Sequence, residues 1–269
     1  MNPAHDPKPL YLEPEQPYLV SIDGPALCLA DPQGKERHLP LRRISRIIAH
    51  ENVQFHTEAL IACAKRDIPI LIHSEDHAHV RIIGPAPHPN TTFRQALIDL
   101  QQRPDWTERY VDWRRSNHYR ITRLLAQRLQ APRVLDRNPG LLRNWIEQRV
   151  EELSDPETQK ITRHRFYQLS LSWIQKRLHQ EGLGSESENL LRDRIDLPAQ
   201  LAMLLDERIQ TIRLGWLKRR HRWAKRHGRH PEPVTTEQIV RIFEKDSARI
   251  SKLGDDLINR FHRWLIEIQ

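Results

Sequence analysis

The chain has 269 residues, 38% of them hydrophobic and 29% charged, enough to bury a sizeable core in one large domain or two modest ones. Its 43 Lys and Arg against 35 Asp and Glu leave a formal net charge of +8 and a pI near 9.8, a balance that suits a polyanion such as nucleic acid. No apolar run approaches the roughly 20 residues of a membrane span, MNPAHDPKPL is neither a signal nor a transit segment, and Cys28 and Cys63 sit among apolar neighbours, so the expectation is a soluble cytoplasmic protein with reduced thiols, not a disulfide scaffold.

Residues 1–84 read as a small β domain. PLYL, YLVSI, ALCLA, ERHLP and RISRII are short apolar or alternating runs separated by turn chemistry such as Asp23-Gly24-Pro25 and Asp31-Pro32-Gln33-Gly34. After the strand-like VQF, Thr57 is expected to cap a helix over EALIACAKR, with Ala59, Leu60, Ala62 and Cys63 on one face and Lys65 and Arg66 in the last turn. IPILIH and AHVRIIG follow as two strands joined by the polar tip SEDH. The acids and imidazoles there, with His77 and His79 on one strand face, read as a surface hairpin. GPAPHPN carries three prolines in seven residues, and 85–92 is assigned as a linker.

Residues 93–269 read as helical, which makes the fold class α+β. From Tyr110, the apolar residues Tyr110, Trp113, Ile121, Leu124 and Leu125 hold one arc at helical spacing while Arg115, Arg120 and Arg123 point elsewhere. Further helices are expected over roughly 140–153, 158–180, 197–226 and 236–267, broken at Asn138-Pro139-Gly140, Asp155-Pro156, Gly182-Leu183-Gly184 and Pro231-Glu232-Pro233. The stretch 213–230, RLGWLKRRHRWAKRHGRH, contains Arg213, Lys218, Arg219, Arg220, Arg222, Lys225, Arg226 and Arg229 without one acid. Opposing carboxylates that would make intrahelical pairs are missing, so these cations are assigned to phosphate binding, with Arg114, Arg115, Arg120 and Arg123 as a second patch. Trp216 and Trp223 stand seven apart, and core packing is expected for both. Glycine-rich phosphate loops, serine nucleophile elbows, paired CxxC and HExxH are all missing from the sequence, so ordinary nucleotide or zinc-hydrolase chemistry has no support.

The β half resembles the CRISPR-associated spacer integrase and endonuclease family, written here Cas-one. The resemblance is carried in order by Leu10-Tyr11-Leu12, Gly34-Lys35, Leu39-Pro40, Ala59 to Cys63 and Asp67-Ile68-Pro69-Ile70. In the helical half, TERYVDWRRSNHYRITRLLAQRL is similar to the family's first long helix, with Arg115 two before Asn117 and His118 where the family usually has Gln. Gly182-Leu183 resembles the opening of its active-site loop, and Gln200 to Arg208 its following acidic helix.

The resemblance implies a Mg or Mn site held by a Glu, a loop His and a helix Asp, ligands whose oxygens and imidazole suit such ions. Laid on this chain, the His position falls at Leu191 and the Asp position at Leu204, while Glu207 matches a trailing acid. DPETQKITRHRFYQL, with Arg165-Phe166-Tyr167, offers Glu157 or Gln159 for the Glu, and a segment beside the site is shortened. The expectation is a degenerate nuclease that binds double-stranded DNA as a non-catalytic or structural protein of spacer acquisition in antiviral defense, with no metal or other cofactor. An active endonuclease or integrase would need rearranged ligands such as Glu157, Asp206 and Glu207 with Mg or Mn. A third reading is a basic helical regulator that binds RNA. The resemblance further implies a homodimer formed through the β domain, a small ferredoxin-like Cas-two partner, and room for a catalytic paralogue.

Overall fold

The computed structural model describes residues 7–12, 18–74, 79–84, 91–183, 195–228 and 233–268. The chain divides into two compact units, one of residues 1–94 with 172–196, the other of residues 95–171 with 197–269. The fold is α+β, strands first and helices after.

The first unit holds two four-stranded sheets. One is ordered β1 (Lys8–Leu12), β5 (Ile44–His50), β7 (Ile70–His73), β8 (His79–Ile82), with β1–β5 and β5–β7 parallel and β7–β8 antiparallel. The other runs β4 (Glu36–Pro40), β3 (Ala26–Ala30), β2 (Leu19–Asp23), β6 (Gln54–Phe55), antiparallel except for β2–β6. The expected strands are therefore all present, and the SEDH tip at 75–78 with His77 lies outside the described residues. Val20, Leu27, Leu29, Ile47 and Ile70 share one core with Ala59 and Cys63 of α1 (Thr57–Ala64).

Helix α1 corrects one expectation. Thr57 is its first helical residue, and the N-cap is His56, extended at φ −67, ψ 140, which gives no side-chain cap bond but accepts at its carbonyl from Ala59 N at 3.0 Å. The helix ends at Ala64, so Lys65 and Arg66, expected in its last turn, lie in the turn beyond it, which closes at Asp67, left-handed at φ 57, with Ile68 N donating to Cys63 O at 3.0 Å. Gly84 has a steric reason to be glycine, since a Cβ there would stand 2.1 Å from Ala64 O.

The helices are α2 (Thr91–Gln102), α3 (Trp106–Leu129), α4 (Pro139–Glu151), α5 (Pro156–Gln180), α6 (Leu197–His227), α7 (Thr236–Lys245) and α8 (Ser247–Glu267). Their starts follow capping chemistry: Asn138 Oδ1 accepts from Leu141 N at 3.0 Å, Asp155 Oδ1 from Thr158 N at 2.8 Å, and Thr235 Oγ1 from Gln238 N at 3.3 Å. The Thr158 N–H first, and then the Thr158 hydroxyl, which donates to Asp155 Oδ2 at 2.7 Å, hold the Asp155 carboxyl below its usual range. Gly182 at φ 87 ends α5, with Leu183 N returning to Leu178 O at 3.0 Å.

The segment expected as one helix over 236–267 is two, because Asp246 at φ −96, ψ 11 both ends α7 and starts α8. No glycine or proline marks that break, so periodicity ran through it. In the helical unit, Leu125, Leu142, Ile146, Leu214 and Leu217 pack together, and Tyr110, Trp113 and Phe261 form an aromatic cluster with Trp113–Phe261 centroids 4.9 Å apart. Trp216 is partly buried against the first group as expected; Trp223, also expected in the core, is 50% exposed. Among the described residues, no helix is long and apolar enough to cross a membrane.

Candidate functional site in the helical unit

Helices α3 and α6 lie side by side, tied by Arg114 Nη1 donating to Gln200 Oε1 at 2.8 Å. On α6, Leu201, Leu204, Leu205 and Ile209 are buried, and the adjoining stripe at i, i+4, i+7 presents Asp206, Gln210 and Arg213. That stripe lines a cavity of about 420 Å³ with Ile121 of α3, Arg143, Ile146 and Glu147 of α4, and Arg163 and Tyr167 of α5.

Two of the three acids in this cavity, Glu207 and Glu147, are paired with cations. Glu207 accepts from Arg143 Nη2 at 2.9 Å and lies 3.0 Å from His118 Nδ1. Glu147 pairs with Arg163 at 2.5 Å. Asp206 Oδ2 accepts from Gln210 Nε2 at 3.1 Å, while its Oδ1 is buried with no hydrogen-bond partner among the described residues. Desolvation pushes the Asp206 carboxyl up to about 7, opposed by Arg213 and reinforced by Glu207 and Glu147. The residue as a whole is partly exposed, but its carboxylate is turned away from water, which is what governs its protonation.

Arg213 is 1% exposed. Its Nε donates to Thr162 Oγ1 at 3.1 Å and its Nη2 to Gln159 O at 3.3 Å. Desolvation draws its pKa down, offset by Glu147 and Asp206. Expected as a phosphate ligand, Arg213 is instead an interior counter-charge, because the periodicity of α6 turns position 213 toward α5.

The other expected phosphate ligands fall into groups. Lys218, Arg219, Arg222, Lys225 and Arg226 are exposed on the last turns of α6, and among the described residues none of them forms an ion pair. Arg220 is half-buried, its guanidinium 5.9 Å from the Trp216 ring centroid, with a pKa lowered by desolvation. Exposed Trp223 stacks on His227, centroids 4.6 Å apart and 27° between planes. On α3, Arg115, Arg120 and Arg123 are exposed, with Arg115 3.6 Å from Asp112, while Arg114 is half-buried on Gln200. Arg229 lies outside the described residues.

The family described as CRISPR associated protein Cas1 matches residues 11–159, more than half of the chain. The chain belongs to the Cas1 family. A CAS1 protein from Thermotoga maritima has the same fold, with a TM-score of 0.71 at 11% identity over 96% of this chain and 97% of that one. TtCas1 in its complex with DNA gives a TM-score of 0.60 at 11% identity, covering 94% and 91%. A casposase bound to an integration product gives 0.63 at 14%, covering 97% and 91%. No curated protein matches the chain.

A Cas1-family chain raises the question of a divalent ion, and the cavity's donors do not fit one. Glu147 and Glu207 are each engaged by a guanidinium, and Asp206 is left as a single desolvated carboxylate beside Arg213. Mg²⁺ or Mn²⁺ needs several uncompensated oxygens converging on one point. Among the described residues, the grouping of three acid, imidazole or thiol donors within 4.8 Å occurs at Cys28, Glu36 and His38, in the other unit. Leu204, at the expected Asp position, is 1% exposed in the core. Glu157 is an exposed residue of the first turn of α5 and does not line the cavity, whereas Asp206 and Glu207 do. Leu191 lies outside the described residues. Sequence reasoning missed Glu147, Arg143 and Arg163. Their one signal is position: Arg143 and Glu147 each follow directly on a buried residue of α4, Leu142 and Ile146.

Proposed function

We propose that this Cas1-family protein of CRISPR adaptation serves spacer acquisition as a DNA-binding, non-catalytic or structural component. The observation that carries this reading is the charge pairing in the helical cavity, where Arg143 and Arg163 occupy Glu207 and Glu147 and the buried charge of Arg213 acts on Asp206, the acids that a divalent ion would require. An exposed cationic end of α6, whose Lys218, Arg219, Arg222, Lys225 and Arg226 meet no carboxylate among the described residues, supports salt-dependent binding of a phosphate backbone with little sequence choice. Matches to structures named for a Cas1–DNA complex and for a Cas6-RT-Cas1–Cas2 complex support double-stranded DNA and a Cas2-type protein as partners. Pairing of two copies through the β unit, residues 1–84 in the sequence division, belongs to the same proposal.

The test is duplex binding with and without divalent metal, alongside cleavage and strand-transfer assays. Binding that persists in chelator and weakens with salt, with no cut or joined product in Mn²⁺, is the expected result. Mn²⁺-dependent cutting abolished by Glu207→Ala overturns the non-catalytic reading, and a preference for structured RNA over duplex DNA overturns the choice of ligand.

A further inference from the structure

The sheet β4-β3-β2-β6 carries a polar cluster that DNA binding leaves unused. Its register sets Ser21 opposite Cys28 and Cys28 opposite His38, one transverse row on one face. Strand alternation sends Leu27 and Leu29 to the opposite face, where they join the core. Ala26 and Ala30, the neighbours of Cys28 on its own face, are small and leave the space above the thiol to longer side chains. Glu36 stands two residues before His38 on β4 and shares that face. Ligand atoms of Cys28, Glu36 and His38 all lie within 4.8 Å of one another. Cys28 as a residue is 7% exposed, while Glu36 and His38 are open to solvent, so the cluster rests on a buried cysteine and has an accessible mouth.

We propose that Cys28, Glu36 and His38 bind a borderline-soft divalent transition-metal ion, Zn²⁺ above all, on the outer face of this sheet. A sulfur, an imidazole nitrogen and a carboxylate oxygen form a donor set that selects Zn²⁺ over Mg²⁺, with the fourth tetrahedral position left to water. His38 Nε2 lies 3.0 Å from Asp23 Oδ2, and Asp23 thereby orients the ring in the way a ligating histidine is held. In the metal-free chain, burial and the charge of Glu36 push the Cys28 thiol up. Coordination exchanges the S–H bond for a metal–sulfur bond and releases the proton to the buffer. The ion joins neighbouring strands β3 and β4, and β4 is an edge of its sheet, so its effect is a staple on that edge.

The tag-free full chain is titrated with Co²⁺ as a spectroscopic probe, then with Zn²⁺ and Mg²⁺. Expected are one bound ion per chain, a thiolate-to-cobalt charge-transfer band in the near ultraviolet, displacement by Zn²⁺, and indifference to excess Mg²⁺. Cys28→Ser, which retains Cys63, loses the sulfur band. His38→Ala weakens Zn²⁺ binding at least tenfold, and Asp23→Asn by about tenfold. Circular dichroism reports whether Cys28→Ser folds; if it does not, Glu36→Gln and His38→Ala, both at exposed positions, carry the test by loss of affinity. A wild-type chain without a sulfur band, a band that survives Cys28→Ser, or undiminished affinity in His38→Ala overturns the site.

Discussion

Replacing Asp206 by asparagine separates a buried proton acceptor from a metal ligand. Folded Asp206 keeps its proton up to about 7, whereas its unperturbed value is 3.8. Between those values the folded state holds a proton that the unfolded state has released, so stability is full below the lower value and declines as pH rises toward the upper one. At about 1.4 kcal/mol per pH unit, the loss reaches at most ~4 kcal/mol. The asparagine side chain cannot ionise, so the stability of Asp206→Asn minus that of wild type should climb by up to that amount between pH ~4 and ~8. The assay is urea unfolding in chelator, followed by tryptophan fluorescence. Six of the seven tryptophans, Trp106, Trp113, Trp145, Trp216, Trp223 and Trp264, lie in the helical unit and Trp173 in the other, so the signal is dominated by the unit that contains Asp206. A stability difference that stays flat with pH refutes the desolvated carboxyl. Mn²⁺ that stabilises wild type and not Asp206→Asn, at the alkaline end, refutes the closed ion-pair cavity itself.

Leu204→Asp should cost more than the ~2–5 kcal/mol of a buried leucine truncation, because it also desolvates a carboxylate; a variant of native urea midpoint that binds Mn²⁺ would show position 204 to be a vacant ligand place. Replacing Arg222, Lys225 and Arg226 together by alanine should weaken duplex binding and lower the slope of log affinity against log salt by ~0.9 for each phosphate no longer neutralised, measured by titration at several salt concentrations. An unchanged slope would remove α6 from the DNA surface. Trp223→Ala should leave stability within ~0.5 kcal/mol yet weaken binding of single-stranded DNA by ~1–3 kcal/mol if bases stack on the exposed ring; fluorescence anisotropy with a labelled oligonucleotide checks it.

Much of the fold was legible because strand and helix periods leave their mark locally. Alternation in ALCLA and ERHLP, and the breaks at Asn138-Pro139-Gly140 and Asp155-Pro156, act within a few residues, and the elements stand where those signals put them. The split at Asp246 was not legible, because a helix break without glycine or proline leaves no mark in the apolar spacing.

The candidate site was legible only in part. Asp206 and Glu207 were picked out, and Leu204 was assigned as a lost ligand, through the resemblance of Gln200 to Arg208 to the family's acidic helix. Glu147, Arg143 and Arg163 come from other helices, and no spacing along α6 reports them.

Composition, charge and the family resemblance were determined by the order of amino acids alone, as was the basic character of α6. Which of those cations face water was decided in three dimensions. Arg213 and Arg222 are equal as letters in one basic run, yet helix packing buries the first among Thr162, Gln159 and Asp206 and leaves the second in solvent. The same holds for Cys28, Glu36 and His38, whose meeting depends on the register of β3 against β4. Burial and proximity arise from segments far apart in sequence coming together, and those two quantities set whether a charge binds phosphate, balances a carboxylate or takes a metal.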